Sequence, residues 1–125
     1  MKITSFNPTI VTKNAADVIS LFEDLGFELK HKKTGINDKD ITAVSMKDPN
    51  GFRVNITQSE TAEQDITSIR INVRDFNEAY EFLISKGFKN AQGDKVTNTS
   101  SSKATMMIAP SGFRISLVEH IRKDN

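Results

Sequence analysis

Residues 25–27 read Leu-Gly-Phe and residues 86–88 read Lys-Gly-Phe. Residues 49–53 read Pro-Asn-Gly-Phe-Arg and residues 110–114 read Pro-Ser-Gly-Phe-Arg. Both motifs recur at the same offset, since 87 − 26 and 112 − 51 are each 61. At that register Ile10 and Ile71, Asn37 and Asn98, Ala43 and Ala104, and Met46 and Met107 are also identical. Two motifs sharing one offset mark a duplication, and a duplication decides the fold class before any single element is assigned. The 125 residues thus read as one domain, 1–125, built of two modules at about 1–60 and 65–120. The polar stretch Ser59–Asp65 forms the junction.

Each module reads as strand, helix and three strands. Phe6–Thr12 has strand character, and Asn14 is placed to cap a helix. Apolar residues at 15, 18, 19, 22 and 25 have helical spacing. Gly26 stops the helix as a left-handed C′ residue. Strands are expected at Phe27–Lys33, Ile41–Met46 and Phe52–Thr57, with Asp48-Pro-Asn-Gly51 as a turn. In the second module Ile69–Val73 is a strand, Asp75 caps a helix running to Lys86, and Gly87 ends it. Val96, Lys103–Ile108 and Phe113–Val118 supply the remaining strands. Thr34–Asp40 and Asn98–Ser102 are polar, and the second is expected to be a hairpin loop. Alternation puts Pro8, Ile10, Thr12, Phe52, Val54 and Ile56 on a helix-covering face, with Ile69, Ile71, Val73, Phe113, Ile115 and Leu117 as their counterparts. The opposite faces carry Asn7, Thr9, Arg53, Asn55, Ser68, Arg70, Asn72, Arg114 and Ser116.

Composition excludes several function classes. Lys plus Arg is 17 against Asp plus Glu at 16, which lacks the basic excess of a nucleic-acid binder. Cysteine is absent, so there is no disulfide framework, thiolate zinc site or cysteine nucleophile. No apolar run approaches the roughly 20 residues of a membrane helix, and the N-terminus lacks a signal-peptide apolar core. A cytoplasmic protein without membrane or nucleic-acid partners is expected.

A duplicated βαβββ unit whose helix ends in Leu-Gly-Phe, and whose last strand is entered through Asp-Pro-x-Gly, resembles the vicinal oxygen chelate superfamily. That group includes glyoxalase I, extradiol dioxygenases and the bleomycin-resistance proteins. The resemblance implies an α+β fold in which two tandem βαβββ modules form a curved mixed sheet, a glyoxalase-like cup, and it implies a homodimer. Metal-dependent members carry His, Gln or Glu near the start of the first strand and on the last strand of each module. Counting back 19 from the helix-ending glycines gives Asn7 and Ser68, and counting forward 4 from the turn glycines gives Asn55 and Ser116. A transition metal wants imidazole, carboxylate or thiolate donors, and these four supply none.

No other residues rebuild a metal or catalytic site. His31 lies in a run of lysines and reads as an exposed strand residue; His120 beside Glu119 reads as a surface residue of a C-terminal tail. Asp38 and Asp40 read as a solvated turn, without the glycine and glutamate of a calcium loop. Neither a metal nor another cofactor is expected, and no catalytic residue is assigned. Arg53, Arg70 and Arg114 share the polar faces with no Asp or Glu. They are read either as recognition of an anion or as rim residues, solvated or paired to acids such as Glu60 or Asp65. The expected function is binding of a small anionic or polar molecule without metal. The alternatives are a glyoxalase-like lyase or dioxygenase with an atypical site, a drug-sequestering protein and an interaction module. Drug sequestration of the bleomycin type fits poorly, because a cationic planar ligand needs acids and aromatics.

Overall fold

The computed structural model describes residues 1–33, 42–99 and 101–120. The expected loop Thr34–Asp40, with Asp38 and Asp40, lies outside the described residues, as do Ile41 and Ser100. The elements are β1 (Ile3–Thr12), α1 (Ala15–Asp24), β2 (Glu28–Lys33), β3 (Ala43–Lys47) and β4 (Arg53–Gln58), followed by β5 (Ile66–Val73), α2 (Phe76–Ser85), β6 (Lys89–Asn90), β7 (Thr97–Asn98), β8 (Ser102–Ile108) and β9 (Arg114–His120). This is α+β, with βαβββ occurring twice. In the second copy the second strand position is split between β6 and β7, which both pair with β8. Contacts divide the chain into Asn7–Thr67 and a second unit of Ser68–Asn125 joined by Met1–Phe6. The first residues are tied to the second unit through Arg74 N–H donating to Lys2 O at 3.1 Å. Thr4 Oγ1 also donates to Asn72 O, and the N-terminal ammonium pairs with Glu78 at 2.9 Å.

Within the first module the strand order is β2-β3-β4-β1, and β1 pairs parallel with β4. In the second, β5 pairs parallel with β9, which is antiparallel to β8. A parallel partner requires a crossover, and the helix plus two strands between first and last strand provide it. Each module builds its own core. Ala15, Val44, Met46, Val54 and Ile56 are buried in the first, and Val73, Phe76, Ala79, Met107 and Leu117 in the second. Met46 and Met107, 61 apart, are both completely buried. Truncating either to Ala removes a side chain worth roughly 2–5 kcal/mol at such a site.

The helix ends show how local sequence sets the chain direction. Both glycines lie at positive φ, Gly26 at 101° and Gly87 at 93°. Phe27 N–H bonds to Phe22 O and Gly26 N–H to Glu23 O; Phe88 to Leu83 and Gly87 to Ile84 repeat the pattern. These are the paired bonds of a Schellman motif, which absorbs the last orphan carbonyls.

The helix starts differ from expectation. Asp75 caps α2 through Glu78 N–H, but Asn14 makes no side-chain cap. Its own N–H is drawn to Thr12 Oγ1 at 3.0 Å, and the cap comes from β4, where Gln58 Oε1 accepts from Ala15 N–H at 2.9 Å. Glu119 on β9, 61 residues later, accepts from Phe76 N–H at 2.8 Å. Pro8, Phe52 and Phe113 are exposed instead of buried under the helices, although Phe113 meets the Phe88 ring edge-on at 5.5 Å. A ten-residue helix is about 15 Å long and covers only the middle of these strands, and Phe52 and Phe113 precede theirs. His31 is exposed on β2, whereas His120 ends β9 instead of lying on a tail. Among the described residues no helix is long and apolar enough to cross a membrane.

Alanine at Gly26 should cost about 1–2 kcal/mol for a side chain in the left-handed region. Alanine at Gly87 should cost more, because its Cβ would also stand 3.0 Å from Pro110 Cγ. Urea unfolding of both variants checks this; equal losses would contradict it.

Candidate functional site

The parallel pairing of first and last strand places residues 48 apart on one polar face in each module. In the first, Thr9 lies opposite Asn55. Two residues before Thr9, Asn7 Nδ2 donates to Asn55 Oδ1 at 3.0 Å. Asn55 and Thr9 are buried, and Thr9 Oγ1 has no hydrogen-bond partner among the described residues. Arg53, at the entrance of β4, is exposed and stands apart from this pair. Of the acids expected to pair it, Glu60 accepts instead from Gln58 Nε2.

In the second module Arg70 lies opposite Ser116, and Ser116 opposite Met106 on β8. Ser68 Oγ and Ser116 Oγ are 3.1 Å apart and share a hydrogen bond. Ser116 Oγ also donates to Met106 Sδ at 3.7 Å. Arg70 Nε donates to Asn72 Oδ1 at 3.3 Å, its sole hydrogen bond among the described residues. Burial pushes the Arg70 guanidinium below its usual pKa, although an arginine stays charged in proteins. No described carboxylate lies within ion-pair distance of it. Arg114, half-buried, opens β9 and lies opposite Ile108. The one carboxylate of β9, Glu119, is turned to the helix start.

The nine expected residues therefore fall into two groups. Asn7, Thr9 and Asn55 come together in the first module, with Arg53 outlying. Ser68, Arg70, Asn72, Arg114 and Ser116 share a face in the second. Sequence reasoning missed Met106 as a polar partner, and it missed the buried network in which Thr105 Oγ1 donates to Asn90 Oδ1 at 2.6 Å and Asn90 Nδ2 to Lys95 O at 2.9 Å. The 61-residue register could have flagged Gln58 and Glu119 as equivalent caps; nothing periodic announces Asn90.

The donor set can be tested against a metal. At the four positions that the resemblance to metal-dependent members singled out, the side chains are two amides bonded to each other and two hydroxyls bonded to each other. Among the described residues no group of three His, Cys, Asp or Glu stands close enough to bind an ion. A transition metal needs such donors, a hard cation needs carboxylates, and the unpaired charge of Arg70 opposes either in the second module. The residues do not fit a metal.

Comparison with solved structures settles the fold. Methylmalonyl-CoA epimerase from Mycobacterium tuberculosis superposes with a TM-score of 0.71 at 17% identity, covering 96% of this chain and 90% of that one. The fold is that of the vicinal oxygen chelate superfamily. A glyoxalase/bleomycin resistance/dioxygenase superfamily member from Vibrio splendidus shares this glyoxalase-like fold, with a TM-score of 0.58, 18% identity and coverage of 96% and 100%. Glyoxalase I from Zea mays gives 0.68 at 11% identity, covering 98% of this chain and 45% of its own. No protein-family model and no curated protein matches the sequence. Within this glyoxalase-like fold, identities so low carry the architecture alone.

Thr9→Val removes a buried hydroxyl without a described partner and should leave stability unchanged or raise it by up to about 1 kcal/mol. Thr12→Val strips the acceptor from Asn14 N–H and should lower stability by ~1–2 kcal/mol. Thermal unfolding of both variants reads the difference, and the reverse order would show that Thr9 has a partner.

Proposed function

We propose that this protein is a binding protein for a small anionic or polar molecule and that it works without metal chemistry. The observation that supports this reading is the self-pairing of Asn7 with Asn55 and of Ser68 with Ser116, the positions where the resemblance would put metal ligands. Amides and hydroxyls can orient neutral oxygens, and a desolvated guanidinium can hold an anion. The nine site residues are amides, hydroxyls and guanidiniums, with no His, Asp, Glu, Cys, Lys or Tyr among them to act as general acid or base. The chain is taken as one domain of two modules. An enzyme reading draws support from methylmalonyl-CoA epimerase and glyoxalase I among the structures of this fold. It would need a proton-transfer group that these faces lack.

The same reading includes a cytoplasmic homodimer. Phe6, Phe52 and Leu25 are each more than 60% exposed, which leaves apolar surface for a second copy to cover. A chain without cysteine has no need of an oxidising compartment.

A thermal-shift screen tests the reading, run with manganese, iron, nickel and zinc, and with panels of carboxylates, phosphates, sugars and amines. Metals should give no specific, chelator-reversible stabilisation. A ligand present at a hundredfold its Kd should add about 2.7 kcal/mol, or on the order of 10 °C for a chain this size. About one tightly held metal per chain, or substrate turnover that depends on it, would overturn the proposal.

A further inference from the structure

We infer that the second module by itself carries a site for a doubly charged oxyanion, held between Arg70 and Arg114 across the Ser68–Ser116 hydroxyl pair. This rests on the binding-protein reading above and narrows it to one module and one ligand class.

Ile69 lies opposite Ile115 and Arg70 opposite Ser116 in the parallel pair of β5 and β9. One step back along both strands, Ser68 faces Arg114. The four residues therefore form a quadrilateral on a single face, with the arginines on one diagonal and the serines on the other. Neighbouring strands are about 4.8 Å apart and alternate residues on a strand about 6.6 Å, so the arginine Cα atoms are roughly 8 Å apart, a separation that long side chains span. One small anion can meet both guanidiniums.

The electrostatics favour an anion there. Two cations on one face repel each other, and the Arg114 side chain makes no hydrogen bond or ion pair with any described residue. Arg70 is half-buried and has only the amide oxygen of Asn72 as partner. That single bond engages Nε and leaves both terminal nitrogens to donate. A dianion balances two fixed charges; a monoanion leaves one uncompensated. The Ser116 hydroxyl is also available. Ser116 gives its proton to the thioether of Met106 at 3.7 Å, a weak acceptor. An oxyanion oxygen is the stronger acceptor and takes that proton without breaking any backbone pairing.

The duplication supplies an internal control. At the register of 61, Thr9 stands where Arg70 does, Asn7 where Ser68 does and Asn55 where Ser116 does. The first module keeps only Arg53, which is exposed. Its buried equivalents are neutral, so it lacks the charge pair. The duplicated faces have diverged into one neutral and one cationic.

The test is an NMR titration at constant ionic strength with sulfate, hydrogen phosphate, acetate and nitrate, following the Arg70 Nε–H and backbone amides. Sulfate and hydrogen phosphate should bind at least tenfold more tightly than either monoanion, with shifts confined to β5, β8 and β9. Arg70→Ala and Arg114→Ala should each weaken sulfate at least tenfold. Arg70→Lys, which keeps the charge and loses the fork, should fall between Arg70→Ala and the unaltered protein; it also covers the case in which the alanine variant misfolds. Arg74→Ala, an exposed charge beyond the end of β5, should change sulfate affinity less than twofold. Equal affinity for acetate and sulfate, arginine variants no weaker than Arg74→Ala, or shifts centred on β1 and β4 would overturn the inference. Failure of both dianions to saturate, while the thermal screen finds a neutral ligand, would overturn it and leave the binding-protein reading intact. A tightly held metal would overturn that reading instead.

Discussion

Each module depends on one pairing, the parallel contact between its first and last strands. β1 meets β4 and β5 meets β9 although roughly 40 residues of chain intervene. The intervening helix can return to the sheet only because a left-handed glycine turns it, and its start is held by a side chain from the closing strand. Gln58 and Glu119 thus tie helix to strand in the same place in both copies. Glu119 adds a negative charge at the positive end of the helix dipole, which strengthens that tie. The same pairing brings Asn7 to Asn55 and Ser68 to Ser116, so the scaffold and the candidate site rest on one geometric constraint.

Much of this was legible because it is local or repeated. Gly26, Gly87, Gly51 and Gly112 all require positive φ, and all stand at the shared offset, so helix ends and turns follow from composition alone. Alternation located the polar faces, because each strand buries its other side against a helix. The errors arose where a distant residue competes with a local rule. Asn14 has the chemistry of a cap, but Gln58 reaches the helix first and Thr12 takes the Asn14 N–H. Phe52 and Phe113 have core composition, but they lie just before their strands and beyond the reach of a short helix. The buried Asn90–Thr105 pair stands where the first module has Leu29 and Val44, and only a three-dimensional partner set explains it.

The two copies have kept their scaffold and diverged on their faces. Caps, Schellman turns and buried methionines persist at the 61-residue register. Across the same register Thr9 is replaced by Arg70, and neutral amides by hydroxyls. Core and turn positions are constrained by packing and backbone geometry, while the strand face not covered by the helix is free to change its chemistry. At the four positions singled out in the sequence stand two hydrogen-bonded pairs, each satisfied by its neighbour across one strand pairing. A site of this kind can orient a polar ligand; it has no electron-rich donor with which to polarise one through a metal.

The central claim is that these two pairs have taken the place of metal ligands. Anomalous diffraction from crystals grown with manganese and zinc tests it most directly, because it locates any bound ion relative to the side chains. The account predicts no anomalous peak within bonding distance of Asn7, Asn55, Ser68 or Ser116, with both pairs intact. A peak bonded to any of these side chains, with its hydrogen-bonded pair opened to receive the ion, would contradict it.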